Sequence, residues 1–258
     1  MLNHPKPIAF VRTPSSAIQN CELTHMERVE IDLNRALSQH AEYEFCLESN
    51  GYEVRKLPYL ADAADAVFVE DTAVNLDEII VMCRPGAVSR LVEVESATVT
   101  FKKLKPLRAI QAPGTLDGGD VLRIGKKIFV GVGARSNQNG FEQLRAIGEE
   151  FGYQVIALTT KNCLHLKTAV TQIGPKTVLL NPAWIDPNNF SDFQIIEIDS
   201  SEPFSANALL LGEDVVLSKS AFLTIAKVKA AGFKVLTVDN SELAKAEAGL
   251  TCCSVLIH

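Results

Sequence analysis

The sequence predicts an α/β fold arranged as a ring of repeated units, with an ordinary open α/β sheet as the alternative. Three observations carry the prediction. Four strand–turn–strand segments recur at near-regular intervals, at least three are followed by a helix-like segment and a short apolar strand, and each end of the chain carries a short apolar strand. The hairpins are expected over Thr72–Met82, Val121–Gly131, Val170–Asn181 and Ala208–Lys219. Their turns open at Leu76, Gly125, Gly174 and Gly212, which lie 49, 49 and 38 residues apart. Three of the four open with glycine between apolar or β-branched runs, which is hairpin chemistry.

The remaining elements follow in order. A first helix is expected over Met26–Ser49, ending before Gly51. Val88–Leu104 is a weaker helix, because Val94, Thr98, Val99 and Thr100 are poor helix formers; Pro106 and a strand over Leu107–Gln111 come next. Asn137–Phe151 sets Phe141, Leu144, Ile147 and Phe151 at helical spacing. Gly152 fits a C-terminal cap, and Tyr153–Leu158 reads as a strand. Ala221–Ala231, Gly232 and Phe233–Val238 repeat that pattern. A period of roughly 40–50 residues with a few strands per unit suggests radial repetition, as in propellers. Pairing Ile8–Val11 with Ser254–Ile257 would build a fifth unit and close the ring, protecting its edges. No stretch reads as a linker, so residues 1–258 are expected to form one domain.

Composition sets the outer limits. The chain has 258 residues, 47% of them apolar and 22% charged, which suits a large buried core. The formal charge of -6 argues against a general electrostatic grip on nucleic acid or an anionic membrane. No apolar run approaches the ~18 residues of a membrane helix, and the opening residues lack a signal-peptide core of ~7–15 apolar residues. A cytoplasmic location is therefore expected. The six cysteines are too few for a disulfide scaffold, so free thiols are the default. Cys252 and Cys253 do not fit common zinc spacings. No phosphate-cradling glycine motif is present, because the Gly-Gly-Asp at Gly118 is not followed by a helix.

Several residues are candidates for chemistry. Cys252 enters a core strand after a glycine-containing turn, where the scaffold would fix it yet leave it open to a cleft; a small buried hydrophobe is the alternative. Cys253 alternates to the other side and reads as packing. Of the five histidines only His165 lies in an apolar segment between units. With a cysteine elsewhere in the chain it is a candidate base, or simply a satisfied core histidine. Asp117 and Asp120 flank two glycines that let the backbone turn tightly and approach a ligand. Asp117 fits turn chemistry and catalysis equally, and Asp120 fits the turn. Asp65, Glu70 and Asp71 surround a buried-looking strand and want a cation, which a Lys or Arg, a guanidinium ligand or, less readily with no histidine near in sequence, a metal would supply, unless they sit in a solvated loop. Arg90 and Arg135 each follow a hairpin. Arriving from two units at one rim they would grip a carboxylate in bidentate fashion; each alone would be a surface arginine.

Six blocks together resemble the dimethylarginine dimethylaminohydrolases of the pentein, or guanidine-modifying, superfamily. They are VFVEDTAV, RPGAVSR, GTLDGGDVL, FVGVGARSNQNG, LHLKT and SELAKAEAGLTCCSVLI. They run in family order from about Asp65 to Ile257. The first sixty residues and Asn181–Pro203 match poorly. The resemblance implies a five-bladed α/β propeller with pseudo-fivefold ββαβ repeats. It implies that Cys252 is the nucleophile, His165 the general acid and base, and Asp117 the carboxylate beside it. Asp65, Glu70 and Asp71 are implied as substrate-contacting acids, with Asp71 the guanidinium partner. Arg90 and Arg135 are implied as contacts for the amino-acid end. Leu23 falls at the family's mobile lid leucine. Ala246 and Glu247 fall at a backbone contact and an acid, with Ala246 replacing a larger apolar residue.

The implied reaction is hydrolysis of Nω-methylated arginine to citrulline and an alkylamine through a covalent S-alkylthiouronium. It needs no metal and no organic cofactor. The implied partner is the small-molecule substrate, with neither nucleic acid nor membrane, and the protein is a monomer or homodimer. An arginine deiminase-type or other guanidine hydrolase is the alternative enzyme, and a non-catalytic arginine-analogue binder is the alternative class. Zinc held by Cys252 and His165 would be an inhibited state.

Overall fold

The computed structural model describes residues 6–258. Among them, fifteen strands form five sheets of three. One sheet joins β15 (Val255–Ile257), β1 (Ile8–Val11) and β2 (Glu53–Lys56). The next is β3 (Ala73–Asn75), β4 (Ile80–Met82) and β5 (Leu107–Ala109), followed by β6 (Val121–Ile124), β7 (Lys127–Gly131) and β8 (Gln154–Leu158). The last two are β9 (Val170–Gly174), β10 (Thr177–Leu180) and β11 (Gln194–Glu197), then β12 (Leu209–Leu211), β13 (Asp214–Ser218) and β14 (Lys234–Val238). In every sheet the middle strand pairs antiparallel with the first and parallel with the third. The two terminal strands meet with Ile8 opposite Ile257, so β15 fills the place a hairpin strand holds elsewhere.

Alternation along the middle strands closes the ring. Successive side chains of a strand point to opposite faces, and each face meets a different neighbouring sheet. On β7, Ile128 and Val130 enter the core shared with the β3–β5 sheet, while Phe129 enters the core shared with β9–β11. On β4, Ile80 and Met82 face the terminal sheet and Val81 faces the β6–β8 sheet. On β10, Val178 and Leu180 point one way and Leu179 the other. On β13, Val215 and Leu217 oppose Val216. On β1, Ala9 and Val11 oppose Phe10. Five apolar clusters therefore sit between five neighbouring pairs of sheets, and the last joins the last sheet to the first. An open sheet would leave two faces without partners, so the ring is the arrangement these sequences bury best.

Helices cover the outside of four units: α1 (Leu33–Ser49), α2 (Leu91–Phe101), α3 (Gln138–Glu150) and α5 (Phe222–Ala230), with short α4 (Leu166–Ala169) and α6 (Ser241–Ala244) inside connections. Helix α2 forms despite its β-branched residues because Ala97 and Phe101 are fully buried against the terminal sheet, and packing outweighs propensity. Between β10 and β11 a 3₁₀ turn over Pro187–Phe190 replaces the outer helix.

The first helix starts at Leu33, not at Met26. Asp32 caps it by accepting the backbone N–H of Arg35. Ahead of it, the N–H groups of Thr24, His25 and Met26 are given to the side chain of Glu247. No helix among the described residues is long and apolar enough to cross a membrane.

Candidate active site

The chain enters the first strand of each sheet from the same end of the ring. Five short segments therefore gather about the axis: Val69–Thr72, Gly118–Asp120, His165–Ala169, the residues before Leu209, and Thr251–Cys253. Four carry the charged or nucleophilic side chains singled out from the sequence.

His165 is buried and its Nε2 lies 3.1 Å from Asp117 Oδ2. Its Nδ1 lies 3.9 Å from Asp71 Oδ1. Both carboxylates are fixed by other donors. Asp117 Oδ1 accepts from Gly86 N at 2.8 Å. Asp71 Oδ1 accepts from Gly119 N at 2.8 Å, and Arg90 donates to Oδ2 at 2.6 Å. The paired glycines are needed for space. A Cβ on Gly118 would stand 1.9 Å from the carbonyl oxygen of Glu70, and one on Gly119 would stand 2.6 Å from His165 Nδ1. Burial works against a charged imidazole, yet Asp71, the Asp117 hydrogen bond and Asp120 outweigh it and raise His165 to about 9. Asp71 is held at about 2, since His165 and Arg90 overcome its own burial. At neutral pH this is an imidazolium set between carboxylates, a proton donor ready for use.

Cys252 sits in the 3₁₀ turn Thr251–Cys253, and Gly249 N donates to its Sγ at 3.4 Å. Burial, then Glu70 and Asp71, push its thiol well above the ordinary value. The resting cysteine is thus neutral. A cation placed beside it is what would favour the thiolate.

Cys252, His165, Asp71, Asp65, Arg90, Arg135, Ala246 and Glu247 line one narrow cavity, together with Glu22, Phe68, Leu164 and Ala248. Its roof is the segment between β1 and α1, tied down by groups from the floor. Asp65 accepts the N–H of Glu22 at 3.1 Å. Glu247 Oε1 accepts from Thr24, His25 and Met26 at 3.0, 2.5 and 2.5 Å. Arg135 donates to Thr24 Oγ1 at 3.1 Å. Glu247 holds this position with φ of 57°, a left-handed conformation that costs a non-glycine residue energy, and its other oxygen is buried without a partner.

The geometry can be set beside known proteins. The model of a family described as N,N dimethylarginine dimethylhydrolase, eukaryotic, matches residues 5–254. A dimethylarginine dimethylaminohydrolase of Streptomyces coelicolor is 36% identical over 257 residues, covering 98% of each chain. The chain belongs to the dimethylarginine dimethylaminohydrolase family. The Pseudomonas aeruginosa member is 32% identical over 248 residues, covering 95% of this chain and 97% of its own. A solved structure of that protein, a cysteine-to-serine mutant complexed with citrulline, superposes with a TM-score of 0.93 at 30% identity, covering 98% of this chain and all of the other. The fold is the pentein propeller that the resemblance implied, and it agrees with the ring expected from the repeat.

Within this dimethylarginine dimethylaminohydrolase fold, most residues expected at the site meet in the one cavity, and three do not. Asp117 is fully buried and reaches the cavity only through His165. Glu70 turns away from the cavity. Its carboxylate receives Lys167 Nζ at 2.6 Å and Thr251 Oγ1 at 2.7 Å, facing a second cavity with Lys167 and Thr171. Leu23 packs against the apolar core, and its neighbour Glu22 lines the mouth instead. Arg90 is placed in the wall but is saturated: besides Asp71 it binds Glu93 Oε2 at 2.8 Å and the carbonyl of Phe68 at 2.9 Å. Sequence reasoning missed Glu22 and Glu93. Glu93 looks like a solvated helix acid; its spacing of three from Arg90 was the available signal.

The same site bears on metal binding. Ligand atoms of Asp71, Asp117 and His165 lie within 4.8 Å of one another. Both oxygens of Asp71 and both of Asp117 already face protein donors or His165.

Proposed function

We propose that this protein hydrolyses Nω-methylated arginines, asymmetric dimethylarginine and monomethylarginine, to citrulline and dimethylamine or methylamine, with Cys252 as the nucleophile. The observation that carries the reading is the meeting of a buried thiol, an imidazolium fixed by Asp117, and the acids Asp71 and Glu247 on one cavity. Membership of the family, and the citrulline complex of its Pseudomonas aeruginosa member, support it.

The steps follow from the charges. Asp71, and Glu247 through its unpartnered oxygen, hold the planar guanidinium by charge-assisted hydrogen bonds and turn its face to sulfur. Asp65 and Arg135 receive the amino and carboxylate ends, with Arg90 in the wall behind them. Binding this cation lets the Cys252 thiol shed its proton to solvent, His165 being already protonated. The thiolate attacks the central guanidine carbon, forming a C–S bond. His165 protonates the departing alkylamine as the C–N bond breaks. Water then attacks the S-alkylthiouronium carbon, His165 takes a proton from it, and sulfur leaves to give citrulline. The balance needs only water. All six cysteines are unpaired, and a reducing compartment such as the cytoplasm suits the free thiol.

The test is a citrulline assay with asymmetric dimethylarginine, monomethylarginine and arginine, run beside Cys252→Ala. Citrulline from the methylated substrates, lost in the variant, is the expected result. Citrulline mainly from arginine would move the protein to deiminase chemistry, and tight binding without turnover would make it a binder.

A further inference from the structure

The five segments at the axis stand in equivalent places, two to five residues ahead of the first strand of each sheet. Asp71, Asp117, His165 and Cys252 hold four of them, and Asn207, two residues before β12, holds the fifth. We propose that Asn207 is a positioning residue for the reaction, fixing Cys252 relative to His165. The proposal rests on the roles given to those two residues above.

The hydrogen bonds make the case. Asn207 is buried, and its side chain reaches both flanks of the site at once. Nδ2 donates to the carbonyl of Lys167 at 3.0 Å, in the turn of helix α4 that His165 caps. Nδ2 also donates to Thr251 Oγ1 at 3.1 Å, and Oδ1 accepts from Thr251 N at 3.0 Å. Thr251 is the residue before Cys252. One amide therefore ties the histidine turn to the cysteine turn, with no second residue in between.

The link also completes a circuit. Gly119 N to Asp71 joins the second unit to the third, and Leu166 N to Asp120 joins the third to the fourth. Thr251 Oγ1 to Glu70 joins the terminal unit to the second. Asn207 spans the two remaining joins, fourth to fifth and fifth to terminal, and at the first of them Thr171 Oγ1 helps by donating to Ala206 O and accepting from Ala208 N. An amide is suited to this place because it donates and accepts from one planar group; a carboxylate would lack the donors and would add charge beside Glu70. Gly249 leaves room for it, since a Cβ there would stand 2.2 Å from Asn207 Cγ.

Misplacing a reacting group by about 1 Å from a remote change can cost about 100-fold in rate. The experiment measures kcat and KM for asymmetric dimethylarginine with Asn207→Ala, Asn207→Asp, Gly249→Ala and Cys252→Ala, normalised to folded protein by circular dichroism. Asn207→Ala is expected to lose about 100-fold in kcat with KM within about threefold, because the cavity wall is intact. Asn207→Asp keeps the acceptor for Thr251 N and should recover part of that loss. Gly249→Ala, which displaces the amide without altering it, should fall in kcat as well. Where Asn207→Ala does not fold, the Asp and Gly249 variants carry the test. A kcat within twofold in the folded variants, or a loss confined to KM, overturns the inference while inactive Cys252→Ala leaves the reaction standing. Turnover retained in Cys252→Ala overturns the reaction itself.

Discussion

Arg90 donates to Asp71 across 2.6 Å inside the wall of the cavity, so the carboxylate beside His165 is already paired with a guanidinium of the protein's own. Both side chains are almost wholly buried. Burial would weaken the arginine's charge, but Glu93 and Asp71 keep it protonated. Removing one partner of a buried pair leaves the other charge stranded, at a cost of about 3–5 kcal/mol. Arg90→Ala is expected to lower the urea midpoint accordingly, and Arg90→Lys to recover little, because an ammonium cannot reach Asp71, Glu93 and Phe68 O together. A variant as stable as the parent would show that Arg90 is not the support of Asp71.

Cys252 is expected to be unreactive until the site is filled. Burial and the acids around it hold the thiol protonated in the free protein. Iodoacetamide should label it slowly at pH 7 and faster only on the alkaline side. A small alkylguanidinium that occupies the Asp71 end without covering sulfur should raise the rate at neutral pH. Equal rates with and without the cation, at an ordinary thiol pKa, would defeat the substrate-assisted step.

Glu247 is expected to act on the roof as well as on substrate. Three backbone N–H groups of the segment over the cavity converge on its Oε1. Glu247→Ala should release that segment, seen as faster amide exchange and proteolysis within residues 22–32, together with a raised KM. Glu247→Gln keeps an acceptor oxygen and should retain much of the protection. Unchanged exchange in the alanine variant would mean that Asp65 and Arg135 suffice to hold the roof.

These predictions divide according to what the sequence could tell. Cys252 and Asp117 were legible because each sits at a strand entrance beside a local signal, a Gly-containing turn or a Gly-Gly pair, and His165 because it is the one histidine in an apolar segment between units. The middle strands were legible for a similar reason: apolar residues on both faces are a local property. The start of α1 was not, because Asp32 caps it while the segment ahead of it is tied to Glu247, more than 200 residues away in sequence. Glu70 and Asp71 show the same limit. Adjacent in sequence, they face Lys167 and Arg90 respectively, and only the packing of the neighbouring units determines which one lines the cavity. Asn207 carried no sequence signal beyond its place before a strand, since its function lies in what it bridges.

The last prediction concerns pH. The folded protein holds His165 at about 9 against an unfolded value near 6.5. A raised value means that the folded state binds the proton more tightly. The stabilisation is fully present below pH 6.5 and is lost as pH rises through 9. Its partner effect at Asp71, held at about 2, is present above the ordinary carboxylate range and lost only in strong acid. The two describe one interaction, worth at most about 3 kcal/mol when counted once. Urea unfolding of the parent should therefore weaken between pH 6.5 and 9, while His165→Gln, which cannot titrate, should be flatter across that window. Turnover should lose its alkaline side over the same range, as the imidazolium that protonates the leaving amine disappears. Parallel stability curves for parent and variant would show that His165 is neutral in the resting protein, and the proton for the amine would then have to arrive with the substrate.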